Sequence, residues 1–169
     1  MKKLVLLVIL LAVVLFTAGC IENLLHSQGN AGKSAVVEIK QLEQINSSLQ
    51  KNPVFVKIGA KWCPHCRSMK PILEKLAADY EGNATIAAID VDQSPEIIKY
   101  FEVKEIPDSC VIIGMENGTY TYMQENGTIS MNRSQAKLIG YNETAGPDEE
   151  TFKKVLDLAV IRREKSRSK

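Results

Sequence analysis

A short buried-strand run, Val54-Phe55-Val56-Lys57-Ile58-Gly59, leads through Ala60 and Lys61 into Trp62-Cys63-Pro64-His65-Cys66, and an amphipathic segment follows at once. No other stretch restricts the folding of this chain so strongly. A brief, nearly continuous apolar run bounded by turn residues reads as a strand inside a sheet. The segment from Cys66 to Tyr80 sets Met69, Ile72, Leu73, Leu76 and Ala77 on one helical face, and Pro71 inside it predicts a kink. Two cysteines with two residues between them, at a helix start, can close a disulfide with little backbone movement. The first lies where unpaired N–H groups and the helix dipole favour a thiolate, the attacking species in thiol–disulfide exchange. The second lies one turn in, shielded, where it can resolve a mixed disulfide. Two blander readings stay open. A structural disulfide would need neither the proline nor the helix opening. Half of a zinc site would need further ligands from Cys110, His26 or His65, and the four-ligand spacing is absent, so no metal is expected.

The surrounding pattern predicts a mixed α/β sheet covered on both faces. Strands are expected over 35–39, 54–59, 84–91, 109–113 and 136–140. Helices are expected over 40–51, with Leu42, Ile45 and Leu49 on one face, over 66–80, over 95–101, and from Pro147 onward with Phe152, Val155, Leu156 and Ala159 facing inward. Ser94-Pro95-Glu96 has the order of N-cap, first-turn proline and first-turn acid. Asn117-Gly118 and Asn126-Gly127 are turn signals, and 119–124 reads as one arm of a hairpin. Residues 163–169 read as a frayed basic tail. Lys and Arg number 21 against 20 Asp and Glu, so nucleic-acid binding through bulk charge is not expected.

Met1-Lys2-Lys3, an uncharged apolar run from Leu4 to Phe16, and Thr17-Ala18-Gly19 before Cys20 have the layout of an export signal. Residues 1–19 are therefore read as a signal peptide or membrane anchor, 20–35 as a flexible tether, and 36–162 as one folded domain. Phe16-Thr17-Ala18-Gly19-Cys20 resembles the lipobox of prokaryotic lipoproteins, with Thr17 where leucine is usual; that resemblance implies lipidation at Cys20. Asn-X-Ser/Thr acceptor sites begin at Asn46, Asn83, Asn117, Asn126, Asn132 and Asn142, six of the nine asparagines, far above chance. Turn composition explains part of that excess. N-glycosylation accounts for the rest and belongs to exported chains. The expected location is the extracytoplasmic face of the cell membrane, or the exterior if the leader is cleaved without lipidation.

Trp62, the pair Cys63 and Cys66, Pro71 in the helix, Asp92-Gln93-Ser94-Pro95 and Ile106-Pro107 together resemble the thioredoxin family, and the spacing from Cys63 to Pro107 fits without a gap. The likeness covers about 36–162. It implies a thioredoxin fold with a central mixed sheet of four to five strands, helices on both faces, and no cofactor. It implies that Cys63 is the nucleophile, Cys66 the resolving thiol, Trp62 a shield over the pair, and Pro107 a cis proline that pairs with a substrate strand.

Departures from that family shape the functional expectation. Lys57 stands where thioredoxins place a buried acid. It is read either as a lysine whose stem packs while its amine reaches solvent, or as a cation beside the thiols that favours thiolate and cannot serve as the carboxylate relay. Ala88 stands where many thioredoxins carry a lysine. Pro64-His65 is the dipeptide of DsbA-type oxidants, and a histidine there can hydrogen-bond the Cys63 thiolate. The stretch 119–134 reads as an added, exposed, sugar-bearing hairpin. Asp108 is placed either near the thiols, opposing Lys57, or where it alters substrate pairing, and Cys110 is expected to be a buried small apolar residue. The expected function is a membrane-tethered protein thiol–disulfide oxidoreductase, monomeric, acting on protein thiols and disulfides. It would work either as an oxidant or isomerase, or as a reductase served by a membrane thiol carrier. The alternative is a non-catalytic binding module of the same fold with a structural disulfide.

Overall fold

The computed structural model describes residues 35–138, 141–142 and 146–168. The expected leader over 1–19, Cys20, His26 and most of the tether lie outside them. Among the described residues no helix is long and apolar enough to cross a membrane.

In chain order the elements are β1 (Val37–Glu38), α1 (Leu42–Leu49), β2 (Val54–Gly59), α2 (Pro64–Ser68), α3 (Lys70–Asp79), β3 (Thr85–Asp90), α4 (Pro95–Tyr100), β4 (Asp108–Glu116), β5 (Thr119–Met123) and β6 (Ile129–Ser130). A 3₁₀ turn (Arg133–Gln135), β7 (Tyr141–Asn142), β8 (Gly146–Pro147) and α5 (Glu149–Arg167) follow. The main sheet has the order β1-β3-β2-β4-β5-β6. β3 runs parallel to β1 and β2, while β4, β5 and β6 continue the sheet antiparallel.

Side-chain alternation along the central strands builds two cores. Val54, Val56 and Ile58 of β2 join Ala87, Ile89, Cys110 and Ile112 under Ile45 and Leu49 of α1 and Ile97 of α4. Phe55 points to the other face and joins Ile86, Val111, Leu73 and Leu76 of α3, and Phe152, Val155 and Leu156 of α5. Phe55 meets Phe152 edge to face, with centroids 5.0 Å apart. Each such fully buried side chain is worth about 1.5–3 kcal/mol relative to exposure. By the same alternation Lys57 and Gly59 share the face of Phe55, the face that α2 and α3 cover.

The expected kink is present: the helix after the cysteines breaks at Met69, between α2 and α3. Pro71 lacks the N–H that would continue the ladder, and its ring crowds the carbonyl one turn back. The helix opens at Pro64, not at Cys66.

Three expectations are corrected. The sheet has six strands rather than four to five, because the hairpin within 119–134 joins the main sheet through a buried β5 instead of standing off as an exposed addition. Asn117 and Gly118 both take positive φ, 51° and 78°, as a type I′ turn demands, and β5 folds back into the sheet with Tyr120, Tyr122 and Met123 buried. No strand forms over 136–138, where Leu138 makes only a single bridge to Ser109; residues 139 and 140 lie outside the described ones. Finally, the described part of the expected tail, 163–168, is not frayed. α5 runs to Arg167, and Arg163 donates to the carbonyls of Leu49 (3.2 Å) and Gln50 (2.8 Å) while Arg167 donates to that of Lys51. Those carbonyls end α1 and its following turn, so the arginines satisfy acceptors that a helix C-terminus leaves open.

Candidate active site

The strand-to-helix junction delivers Cys63 and Cys66 to one small cluster with Ala60, against which Val91 and Ile106 pack. Cys63 is the N-cap of α2, and its Sγ accepts a hydrogen bond from the Cys66 amide at 3.2 Å. The two cysteines are free thiols with 4% and 3% of their surfaces exposed, so access requires a partner that fits closely. The bond between Ile106 and Pro107 is cis, as the family resemblance implied. Because Ile106 packs on the cysteine cluster, the Pro107 loop stands beside the pair. Val91 also lines an open hollow with Pro95, Ile98 and Val103, rimmed by Lys99, Glu102 and Lys104.

The loop before the pair is held from both ends. Trp62 is 64% exposed, and its Nε1 donates to Asp92 Oδ2 at 2.9 Å. It forms an outer flank of the site, tied to the turn after β3. Arg67 Nη1 donates to the carbonyls of Lys61 (3.1 Å) and Trp62 (3.0 Å). The exposed ring of His65 packs against Tyr141 of β7, with centroids 4.3 Å apart. The hydrogen bond on Cys63 Sγ is thus given by the Cys66 backbone, and His65 gains a contact that its sequence position did not announce.

Lys57 does not carry its amine out to solvent. The residue is 8% exposed. A Cβ built on Gly59 would overlap Lys57 Nζ and come within 2.7 Å of Cys66 Sγ, so amine and sulfur share the space that the glycine leaves. In the strand register Lys57 lies opposite Ala88, and Gly59 opposite Asp90. The two small residues, Gly59 and Ala88, make room in the sheet face for a long side chain. Burial pulls the Lys57 amine below the ordinary lysine range, opposed by the charges of Cys66, Cys63 and Asp90. Burial also pushes the Cys66 thiol up, together with its contact to Cys63, while the Ala60 backbone and Lys57 act the other way.

Asp108 is not near the thiols in any sense that opposes Lys57. It alternates onto the α1 and α4 face, 2% exposed, and binds Arg133 at 2.7 Å. Arg133 also donates to the Phe101 carbonyl at 3.2 Å and lies over the Phe101 ring. Cys110 is fully buried beside them, as expected. Of the acceptor asparagines, Asn83, Asn117, Asn126 and Asn132 are exposed. Asn46 is half-buried within α1, and its Oδ1 accepts the Tyr120 hydroxyl at 2.7 Å. The Asn142 side chain and Cys20 lie outside the description.

Sequence reasoning named Cys63, Cys66, His65, Trp62, Pro107 and Lys57, and the structure brings all six to this end of the sheet. It missed Gly59, Asp90 and Arg67. A glycine closing a buried strand just before the motif was the one available signal.

Comparison with known proteins agrees with this fold. The Thioredoxin family model matches residues 35–138. The thioredoxin of Staphylococcus aureus is 38% identical over 73 residues, which is 43% of this chain and 69% of that protein. In three dimensions the chain is similar to a crystal structure of thioredoxin from Trypanosoma brucei brucei, at 17% identity and a TM-score of 0.53, covering 80% of this chain and 98% of that one. It is also similar to a mutant thioredoxin from Halobacterium salinarum NRC-1, at 20% identity and a TM-score of 0.54, covering 78% and 96%.

Proposed function

Since the chain belongs to the thioredoxin family, a family whose chemistry is thiol–disulfide exchange, we propose that it is an extracytoplasmic, membrane-tethered oxidoreductase that exchanges disulfides with protein chains through Cys63 and Cys66. The observation that carries this reading is the pair itself: two free thiols at a helix start, the Cys66 amide donating to the Cys63 sulfur, beside a cis Ile106-Pro107 bond. Cys63 joins the substrate sulfur in a mixed disulfide. Cys66, one residue beyond the short Pro64-His65 bridge, attacks Cys63 and releases the substrate. The Pro107 loop receives the substrate chain, pairing with its backbone.

The direction favoured is oxidation or isomerisation. Lys57 in its charged form acts against the burial that pushes the Cys66 thiol up and so favours the reduced pair, and a disulfide whose reduced form is stabilised is the stronger oxidant. The export-type segment over 1–19 supports tethering at the outer membrane face, with Cys20 as the lipid-bearing residue and the exposed Asn83, Asn117, Asn126 and Asn132 as glycan carriers.

A Cys66→Ser variant tests the activity. It is expected to accumulate mixed disulfides through Cys63 with exported proteins. The absence of any trapped partner, together with no catalysis of insulin reduction, leaves only a binding module. A measured potential near the thioredoxin range of about −270 mV would sink the oxidant direction. Mass spectrometry of the native chain tests the anchor and the glycans in one experiment.

A further inference from the structure

We infer that Tyr141 is a positioning residue for His65: carried on the β7–β8 ribbon, its ring keeps the His65 imidazole on the flank of α2 and away from the Cys63 sulfur. The inference rests on the thiol-exchange reading above and concerns how the potential of the pair is set.

The ribbon is rooted on both sides. Before it, the buried Leu138 donates its amide to the Ser109 carbonyl of β4 at 2.8 Å. After it, Asp148 caps α5 through the Thr151 amide at 3.0 Å, and Glu149 bridges Lys75 of α3 at 2.7 Å. Between these roots Tyr141 pairs with Pro147, and Asn142 with Gly146. The strand partner of Tyr141 is therefore one residue from a helix cap. β8 lies alongside α2, the helix that Cys63 caps. The match to the family ends at residue 138, so this ribbon lies outside the shared part of the fold.

The half-buried Tyr141 ring meets the exposed His65 ring with centroids 4.3 Å apart and planes inclined by 53°. The His65 backbone is fixed within α2, where its carbonyl accepts the Ser68 hydroxyl at 2.8 Å. Only the side-chain torsions decide where the imidazole goes. Cys63 stands two residues earlier, and helix positions two apart do not face each other. To reach that sulfur the imidazole must fold back over the helix start and leave Tyr141. The sulfur meanwhile accepts from the Cys66 amide. An aromatic contact of this kind biases such a choice by about two- to tenfold. Released from it, an imidazole N–H can donate to the Cys63 thiolate. That would stabilise the reduced pair and make the disulfide a stronger oxidant. Tyr141 thus holds the pair at a less oxidising potential than Pro64-His65 would set without it.

The redox equilibrium of the full chain with glutathione tests this. Two glutathione thiols reduce the Cys63–Cys66 disulfide and leave as glutathione disulfide. Alkylation and mass spectrometry then count the protein thiols at each glutathione ratio. Tyr141→Ala is expected to shift the equilibrium constant toward the reduced protein by about two- to tenfold. A tenfold shift corresponds to about 30 mV for this two-electron couple. Tyr141→Phe keeps the ring and is expected to match wild type. In a His65→Ala background Tyr141→Ala is expected to change nothing, because the effect runs through the imidazole. The proposal is overturned by no shift in Tyr141→Ala, by a shift toward the oxidised protein, by the same shift without His65, or by a phenylalanine variant that behaves like the alanine one. A wild type that does not exchange with glutathione at all overturns the thiol-exchange reading, and this inference with it. Should Tyr141→Ala fail to fold, the wild type decides: the reduced protein is expected to show NMR cross-peaks between the His65 and Tyr141 ring protons, and their absence overturns the proposal.

Discussion

Arg133 Nη2 stands 2.7 Å from Asp108 Oδ1, with 14% and 3% of the two side chains exposed, one residue beyond the cis Ile106-Pro107 bond. This buried ion pair anchors the base of the Ile106-Pro107 loop from the opposite face of the sheet. Removing only the cation leaves a carboxylate enclosed without its partner. Arg133→Met is therefore expected to destabilise the fold by about 3–5 kcal/mol, and the Arg133→Met, Asp108→Leu double variant to recover much of that loss. Urea unfolding of the three proteins measures both. A single variant within about 1 kcal/mol of wild type would show that the pair is not enclosed as described.

Asp148 caps α5. Its carboxylate accepts from the Thr151 amide at 3.0 Å and from the Thr151 hydroxyl at 2.6 Å, which holds its pKa below the ordinary value of 3.8. Asp148→Ala is expected to cost about 1 kcal/mol at neutral pH. A depressed folded pKa contributes stability above the unfolded value, and that contribution is lost as pH falls through the folded one. The difference between wild type and variant is thus expected to shrink once pH drops below about 3.8. Denaturation midpoints at pH 7 and pH 3 give the comparison; an equal gap at both would place the effect elsewhere.

Burial pushes the Cys110 thiol up to about 11, from an ordinary 9.0. Two outcomes are expected. In native protein at pH 8, iodoacetamide leaves Cys110 unmodified, and in urea it is alkylated; peptide mass spectrometry reads this directly. Between about 9 and about 11 the folded chain keeps a proton that the unfolded chain has lost, so stability falls as pH rises through that window. Cys110→Ala is expected to lose less stability than wild type over the same range.

The arginines of α5 give a further test. Arg163→Ala removes the donor to the carbonyls of Leu49 and Gln50. The expected result is a loss of about 1 kcal/mol and faster amide exchange at the C-terminal end of α1, with β2 and β3 unaffected. Uniform protection along α1 in the variant would mean that these contacts hold nothing in solution.

Much of this architecture was legible in the residues, because apolar spacing decides which faces are buried. Ile45 and Leu49 on α1, the break near Pro71, and Phe152, Val155 and Leu156 on α5 all lie where the periodicity puts them. β5 was misjudged for a physical reason. Thr119-Tyr120-Thr121-Tyr122 is an unbroken run of hydroxyl-bearing residues flanked by acceptor asparagines, a pattern that suits an exposed ribbon. Yet the rings of Tyr120 and Tyr122 fill the core under α1 and α4, and the Tyr120 hydroxyl finds Asn46. The basic end of the chain misled for another reason: its acceptors are backbone carbonyls of α1, which leave no trace in a side-chain pattern. At the site, parity along β2 places Lys57 on the helix-covered face. Where its amine ends depends on Gly59 and Ala88, two residues whose part is to be small.

Gly59 carries a wider consequence. Lysine at 57 and a bare Cα at 59 are one device written in two letters: any side chain on the second evicts the head group of the first. Transplanting the lysine alone into a related scaffold with a bulky neighbour would drive the amine away from the sulfur, so an engineer who wants this site elsewhere must move the vacancy along with the charge.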